Sequence, residues 1–245
     1  MKRVLDRLVR RYNTKAFIDT DPVKFPRRCK KLQDIEITAF LVASVTWGNR
    51  KAILSSCEKM LEKLGQSPYD FVMEGAYEKL GAGNIHRTFF EGDMAHMLRG
   101  FRLIYEQNRS MNAFLKRKRV KTPWDVARAL QAEMTRANDG RVNPKCMPVN
   151  FEKTALKRIN LALRWLVRQD GIVDLGVWDC LSPADLFIPL DVHAGNTARR
   201  LSLLQRKQND RQAVQELTAV LRGFCPEDPV KYDFALFGAG IAERL

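Results

Sequence analysis

Apolar residues recur along this chain at intervals of three and four. Ile35, Thr38, Ala39, Val42 and Ala43 fall on one helical face. Ile53, Cys57, Met60, Leu61 and Leu64 fall on another, and Gly65 follows where a left-handed residue would stop the helix. The same period predicts helices over 2–13, 92–107, 122–137, 154–169, 210–223 and 229–241. Ser67-Pro68, Thr122-Pro123, Ser182-Pro183 and Asp228-Pro229 each place a capping side chain before a proline at the first helical position, where the missing N–H costs nothing. No stretch alternates with period two and no Asn-Gly pair marks a hairpin, so the fold expected is all-α. Residues 135–149 are polar and turn-rich and read as an exposed loop. There is no internal repeat and no linker.

Composition narrows the class. At 245 residues and 45% hydrophobic content the chain can bury a core of ordinary size. No apolar run reaches the length of a membrane span, about 18 residues, and the charged N-terminal stretch lacks the apolar segment of a secretory signal. A cytoplasmic protein, nucleoid-associated when bound to DNA, is therefore expected. The five cysteines are scattered and never spaced as Cys-x-x-Cys, and there are three histidines. No disulfide framework, metal site or cofactor is expected from these.

Charge changes the picture most. Lys and Arg total 42 against 28 acids, a net of +14, and the first 31 residues carry eleven bases against three acids. The run Lys116-Arg117-Lys118-Arg119 adds a solvated patch. Such an excess points to an anionic partner, of which nucleic acid is the commonest soluble one.

Two stretches offer chemistry. In PLDVHAGNTARRLSLL, residues 189–204, Asp191 precedes a basic amphipathic helix, where backbone N–H groups stabilise a carboxylate. On its own that is a helix cap. In FEKTALKRINLALRWLVR, residues 151–168, Lys157 falls near the start of an apolar helix and beside Arg158. The positive helix end and the neighbouring cation both favour the neutral, nucleophilic amine. A solvated lysine lying along the helix fits the same position. His86, His96, Trp124 and Trp178 read as structural, and Trp47 as either core or surface.

The order of these pieces resembles the helix-hairpin-helix DNA glycosylases, the superfamily of endonuclease III and the archaeal 8-oxoguanine glycosylases. Lys157 is similar to their nucleophilic lysine, and Asp191-Val192-His193 to their Asp-x-His. Residues 37–53, 92–108 and 228–241 are similar to their early helix and loop, pre-hairpin helix and closing helix. The glycine-rich hairpin turn is replaced here by NFEKTALK, and the four-cysteine cluster is absent. The resemblance implies a two-lobed helical fold with a cleft between a lobe at 34–184 and one formed by 1–33 and 185–245. It implies a monomer that excises damaged bases from duplex DNA, with Lys157 forming a Schiff base and Asp191 stabilising the sugar cation. His193, Asn196 and Arg199 would position phosphates, Thr46, Trp47 and Asn49 are the candidates to fill the vacated stack, and Arg158 and Arg50 would contact the DNA. Two alternatives stay open: a glycosylase in which Asp191 activates water, and a nucleic-acid-binding protein without catalysis.

Overall fold

The protein is described here by a computed structural model over residues 1–242. Its helices are α1 (Lys2–Tyr12), α2 (Lys15–Thr20), α3 (Lys24–Arg28), α4 (Leu32–Ser44), α5 (Arg50–Glu62), α6 (Pro68–Met73), α7 (Glu91–Gln107), α8 (Met111–Arg117), α9 (Pro123–Arg136), α10 (Lys157–Val167), α11 (Val192–Arg200), α12 (Arg211–Phe224) and α13 (Asp233–Ala242). The fold is all-α. Among the described residues no helix is long and apolar enough to cross a membrane.

One small hairpin departs from the expectation of no strands: β1 (Asn84–His86) pairs antiparallel with β2 (Phe89–Phe90). Strands of three and two residues are too short to show alternation. Their turn is made by Arg87 in the left-handed region (φ 51°) rather than by Asn-Gly. Asn84 Nδ2 donates to the Arg87 carbonyl at 2.6 Å and closes it.

Local capping explains several helix starts. Ser67 accepts from the Asp70 N–H, and Thr122 and Asp125 form a reciprocal box. The other two proline signals give only 3-10 turns, at Pro183–Asp185 and Pro229–Tyr232. At the second, the Asp228 carboxylate accepts from Arg168 Nε at 2.9 and 3.1 Å and does not cap. The helix expected over 154–169 begins only at Lys157, because Asn150 Oδ1 accepts from the N–H groups of Glu152 and Lys153 and folds 150–153 into a turn. The 135–149 loop is mostly exposed, but Cys146 and Met147 are buried, with Cys146 Sγ donating to the Asp93 carbonyl.

The chain divides into two compact units, residues 21–149 and residues 1–20 with 150–245. The sequence reading had placed the divisions at 33/34 and 184/185, and its residues 243–245 lie outside those described. In the 21–149 unit, α4 is buried along almost its whole length. Its Glu36, fully buried, accepts from Tyr105 Oη at 2.9 Å and from the N–H groups of Met111 and Asn112, tying α4 to α7 and α8. Phe40, Phe101, Phe114 and Trp124 fill the space between, each burial contributing about 1.5–3 kcal/mol.

In the other unit α13 is the central rod. A Cβ at Gly238 would lie 2.3 Å from the Tyr12 ring of α1, and one at Gly240 would lie 2.8 Å from Thr197 Oγ1 and 3.1 Å from the His193 carbonyl of α11. Positions two apart lie about 200° round a helix, so α13 packs α1 on one side and α11 on the other. Trp165, Leu163 and Leu166 of α10 complete this core.

Candidate functional site

Lys157 and Asp191 meet. Lys157 Nζ lies 3.9 Å from Asp191 Oδ2, the lysine side chain 32% exposed and the aspartate 12%. Both sit at helix starts. Asp191 is the N-cap of α11, and its other oxygen, Oδ1, accepts from the Ala194 N–H at 2.7 Å. One carboxylate oxygen therefore serves the helix and the other faces the amine. Lys157 is the first residue of α10, and the residue before it, Leu156, is held in the left-handed region (φ 50°). A leucine there is backbone strain that the surroundings must impose. Asn160 contributes: its Nδ2 donates to the Ala155 carbonyl at 3.0 Å, while the Leu156 carbonyl accepts from the Asn160 N–H.

The two helix starts are fastened to one segment. Asn209 Nδ2 donates to the Asp191 carbonyl at 3.0 Å. Two residues on, the Arg211 N–H donates to the Lys153 carbonyl at 3.0 Å, and Arg211 Nη1 donates to the Phe151 carbonyl. Residues 209–211 thus hold the approach to α10 and the cap of α11 at once. Asp210 caps α12 and pairs with Arg206, whose carbonyl accepts from Arg199 Nε at 2.8 Å. Gly195 leaves the room for this: a Cβ there would lie 2.8 Å from Asn209 Oδ1 and 2.9 Å from Arg199 Nη1. None of these supporting roles was legible, since each depends on a partner distant in the sequence.

The remaining candidates distribute as follows. His193 and Asn196 are exposed on α11, His193 edge-on to Phe237 at 6.3 Å, and Arg158 is half-buried. Arg199 is turned inward to Arg206 and Asn209, its Nη2 donating to Asn209 Oδ1 at 2.6 Å. Thr46, Trp47, Asn49 and Arg50 belong to the 21–149 unit. There Thr46 is buried and donates to the Ala43 carbonyl, Asn49 caps α5, and Arg50 pairs with Asp21 at 3.2 Å. Trp47 stands edge-on to His86, whose ring nitrogens engage the Trp47 carbonyl and Ser56 Oγ. Gly48 (φ 97°) is the hinge of that loop, with Arg87 Nη1 where a Cβ would go.

Beneath α10 lies a polar core that sequence reasoning missed. Arg164 pairs with Asp174 and Asp233, and Arg168 pairs with Asp170, Asp174 and Asp228. Both guanidinium groups lie over the Phe234 ring, at 4.4 and 5.4 Å. Two cations face four carboxylates here. Burial first, then the charges of Asp191 and Asp174 against the opposing pull of Arg164, push Asp233 up to about 7. Buried Asp174 is raised for the same first reason. Among the described residues no group of three or more His, Cys, Asp or Glu is arranged to hold a metal ion.

Comparison with known proteins adds one match. The family described as "Protein of unknown function (DUF2400)" matches residues 21–242. No curated protein and no solved structure matches the chain. The resemblance to the helix-hairpin-helix glycosylases is corrected accordingly: the match over the chain is to this other family, and nothing supports the superfamily. In the stretch where the resemblance places its hairpin turn, residues 150–156 hold turns and irregular backbone ahead of α10.

Proposed function

The chain belongs to the DUF2400 family, whose function is unknown, and on that footing we propose that it excises bases from damaged duplex DNA. The reading rests on chemistry at one contact, the 3.9 Å approach of Lys157 Nζ to Asp191 Oδ2 at two helix starts. An amine beside a carboxylate is the minimum apparatus for displacing a base from its sugar. Neutral Lys157 attacks C1′, the glycosidic bond breaks, and the base leaves with the bonding pair. The proton released by the amine passes through Asp191 to the departing base. As the C1′–O4′ bond breaks, the ring oxygen takes up the remaining Nζ proton and a Schiff base is left between Nζ and C1′; loss of a C2′ proton then expels the 3′ phosphate and breaks the strand. Before any of this the nucleoside must leave the stack, at a cost of a few kcal/mol that is smallest for a damaged or mispaired base. The net charge of +14 supplies the affinity for the phosphate backbone. No metal or cofactor is required, and a single copy of the chain carries both reacting groups.

The test is covalent trapping. With borohydride and a panel of lesion-containing duplexes, the protein is expected to give an adduct that Lys157→Ala abolishes and Lys153→Ala keeps. Asp191→Asn is expected to bind DNA as before and to lose at least ~10²-fold in rate, the usual contribution of a positioned acid–base group. Base release without an adduct would assign the displacement to water activated by Asp191. Binding with neither product across the panel would reduce the protein to a nucleic-acid-binding one.

A further inference from the structure

Helix α1 carries a charged face that the candidate site does not use and that folding does not explain. With 3.6 residues per turn, Arg3, Arg7 and Arg10 lie within an arc of about 60° and span about 10 Å along the axis. All three are exposed and form no ion pair among the described residues. Arg11 extends the stripe, its guanidinium over the Tyr12 ring at 5.4 Å. The one acid of α1, Asp6, is turned aside: it accepts from Tyr232 Oη at 3.0 Å and meets Lys231 Nζ at 3.7 Å. Lys2 and Arg3 occupy the first turn, the positive end of the helix dipole, where a cation weakens a helix. A sequence selected only for a stable helix would place acids there.

We infer that this face is a docking surface for the phosphate backbone of nucleic acid. The spacing of the arginines suits a row of phosphates, and each guanidinium is a fork that grips a phosphate by two hydrogen bonds. A basic amphipathic helix also suits an anionic membrane, but it binds there by sinking its apolar side into the lipid. That side is occupied here: Leu5 is fully buried, and Tyr12 packs on Gly238 of α13. What remains free is the arginine stripe with Met1 and Val4 exposed at the helix start, an apolar surface too small to sink the helix into lipid, which selects a polyanion in water. The helix also lies outside the stretch that matches the family, which begins at residue 21. It is therefore an addition to what that family description covers. The inference rests on the DNA reading for the identity of the polyanion but not on any chemistry at Lys157.

The experiment measures affinity for an undamaged labelled duplex as salt is raised, in the full-length chain. Each phosphate contact contributes about 0.9 to the slope of log K against log salt. The triple variant Arg3→Gln, Arg7→Gln, Arg10→Gln is expected to lose about 2 to 3 from that slope, whereas the triple lysine variant, which keeps the charge, is expected to retain it. A charge-matched control, Arg28→Gln, Arg99→Gln, Arg102→Gln, removes cations already paired with Glu58, Glu78 and Glu106 and should leave the slope in place. An unchanged slope in the α1 variant, or an equal loss in the control, would overturn the inference. So would loss of binding to phosphatidylserine-containing vesicles with duplex binding intact, which would assign the face to a membrane. The glutamine variant should still give the borohydride adduct at low salt. If the wild-type protein gives neither adduct nor base release, the excision reading falls while the slope still decides this one.

Discussion

Asp233 is a residue whose ionisation is set by its neighbours more than by its type. Burial first, helped by the charges of Asp191 and Asp174 and opposed by Arg164, lifts it to about 7, whereas in the unfolded chain it titrates near 3.8. Between those values the folded state holds a proton that the unfolded state has released. Stability from this group therefore falls as pH rises from about 4 to 7, and is constant above. Asp233→Asn removes the titration while keeping the shape. The difference in unfolding free energy between wild type and variant should shift against the wild type by roughly 2–4 kcal/mol between pH 4 and 8. Denaturant titrations at several pH values would measure it, and a flat difference would mean that Arg164 keeps Asp233 ionised throughout. Nothing in the sequence announces this site. Asp170, Asp174, Asp228 and Asp233 are ordinary surface letters until the chain brings them to Arg164 and Arg168.

Elements were legible where their signals are local. Ser67 and Thr122 each cap the helix that begins beside them, and Gly65 follows α5 in the left-handed region as its position suggested, while Asn49 and Asp210 cap α5 and α12 unannounced. Asp228-Pro229 has the same spelling and fails, because its carboxylate answers to Arg168, 60 residues away. A long-range partner is invisible to a local rule. Lys157 and Asp191 were legible as residue types at helix starts, and Asn209, which fixes one of them, was not. The same limit applies to packing. Gly100 looks like a weak point in α7, yet a Cβ there would lie 2.7 Å from Met134 Cα of α9, a backbone atom with no easy retreat. Gly100→Ala should therefore destabilise the fold by about 1–3 kcal/mol, the cost of overpacking, despite the better helix propensity of alanine. Thermal unfolding decides it, and an unchanged midpoint would show that the two helices can part freely.

At the scale of the whole molecule the connectivity is uneven. Residues 21–149 form one unbroken segment with its own core, whereas the unit that holds Lys157 and Asp191 joins residues 1–20 to 150–245. The unbroken segment, expressed alone, should unfold in one cooperative transition and retain helical circular dichroism, since it carries a core of its own. A broad, non-cooperative melt would count against that. The basic character of the chain was plain from composition. The resemblance implies a unit built from both ends of the chain, with borders at 33/34 and 184/185; the borders at 20/21 and 149/150 carry no linker and no shift in composition that would mark them.

The placing of α13 between α1 and α11 also sets an order of events during synthesis. Helix α1 leaves the ribosome first, but the rod it packs against is encoded some 220 residues later. At roughly 5–20 residues per second that is a wait on the order of ten to forty seconds. Through that interval α1 has no partner, while residues 21–149 are free to fold. The cap of α11, braced by Gly240, settles only when the last helix arrives. A chain cut short before α13 would carry both Lys157 and Asp191 and still lack the support that α13 gives to α11. Assembly of the candidate site is thus tied to the synthesis of α13.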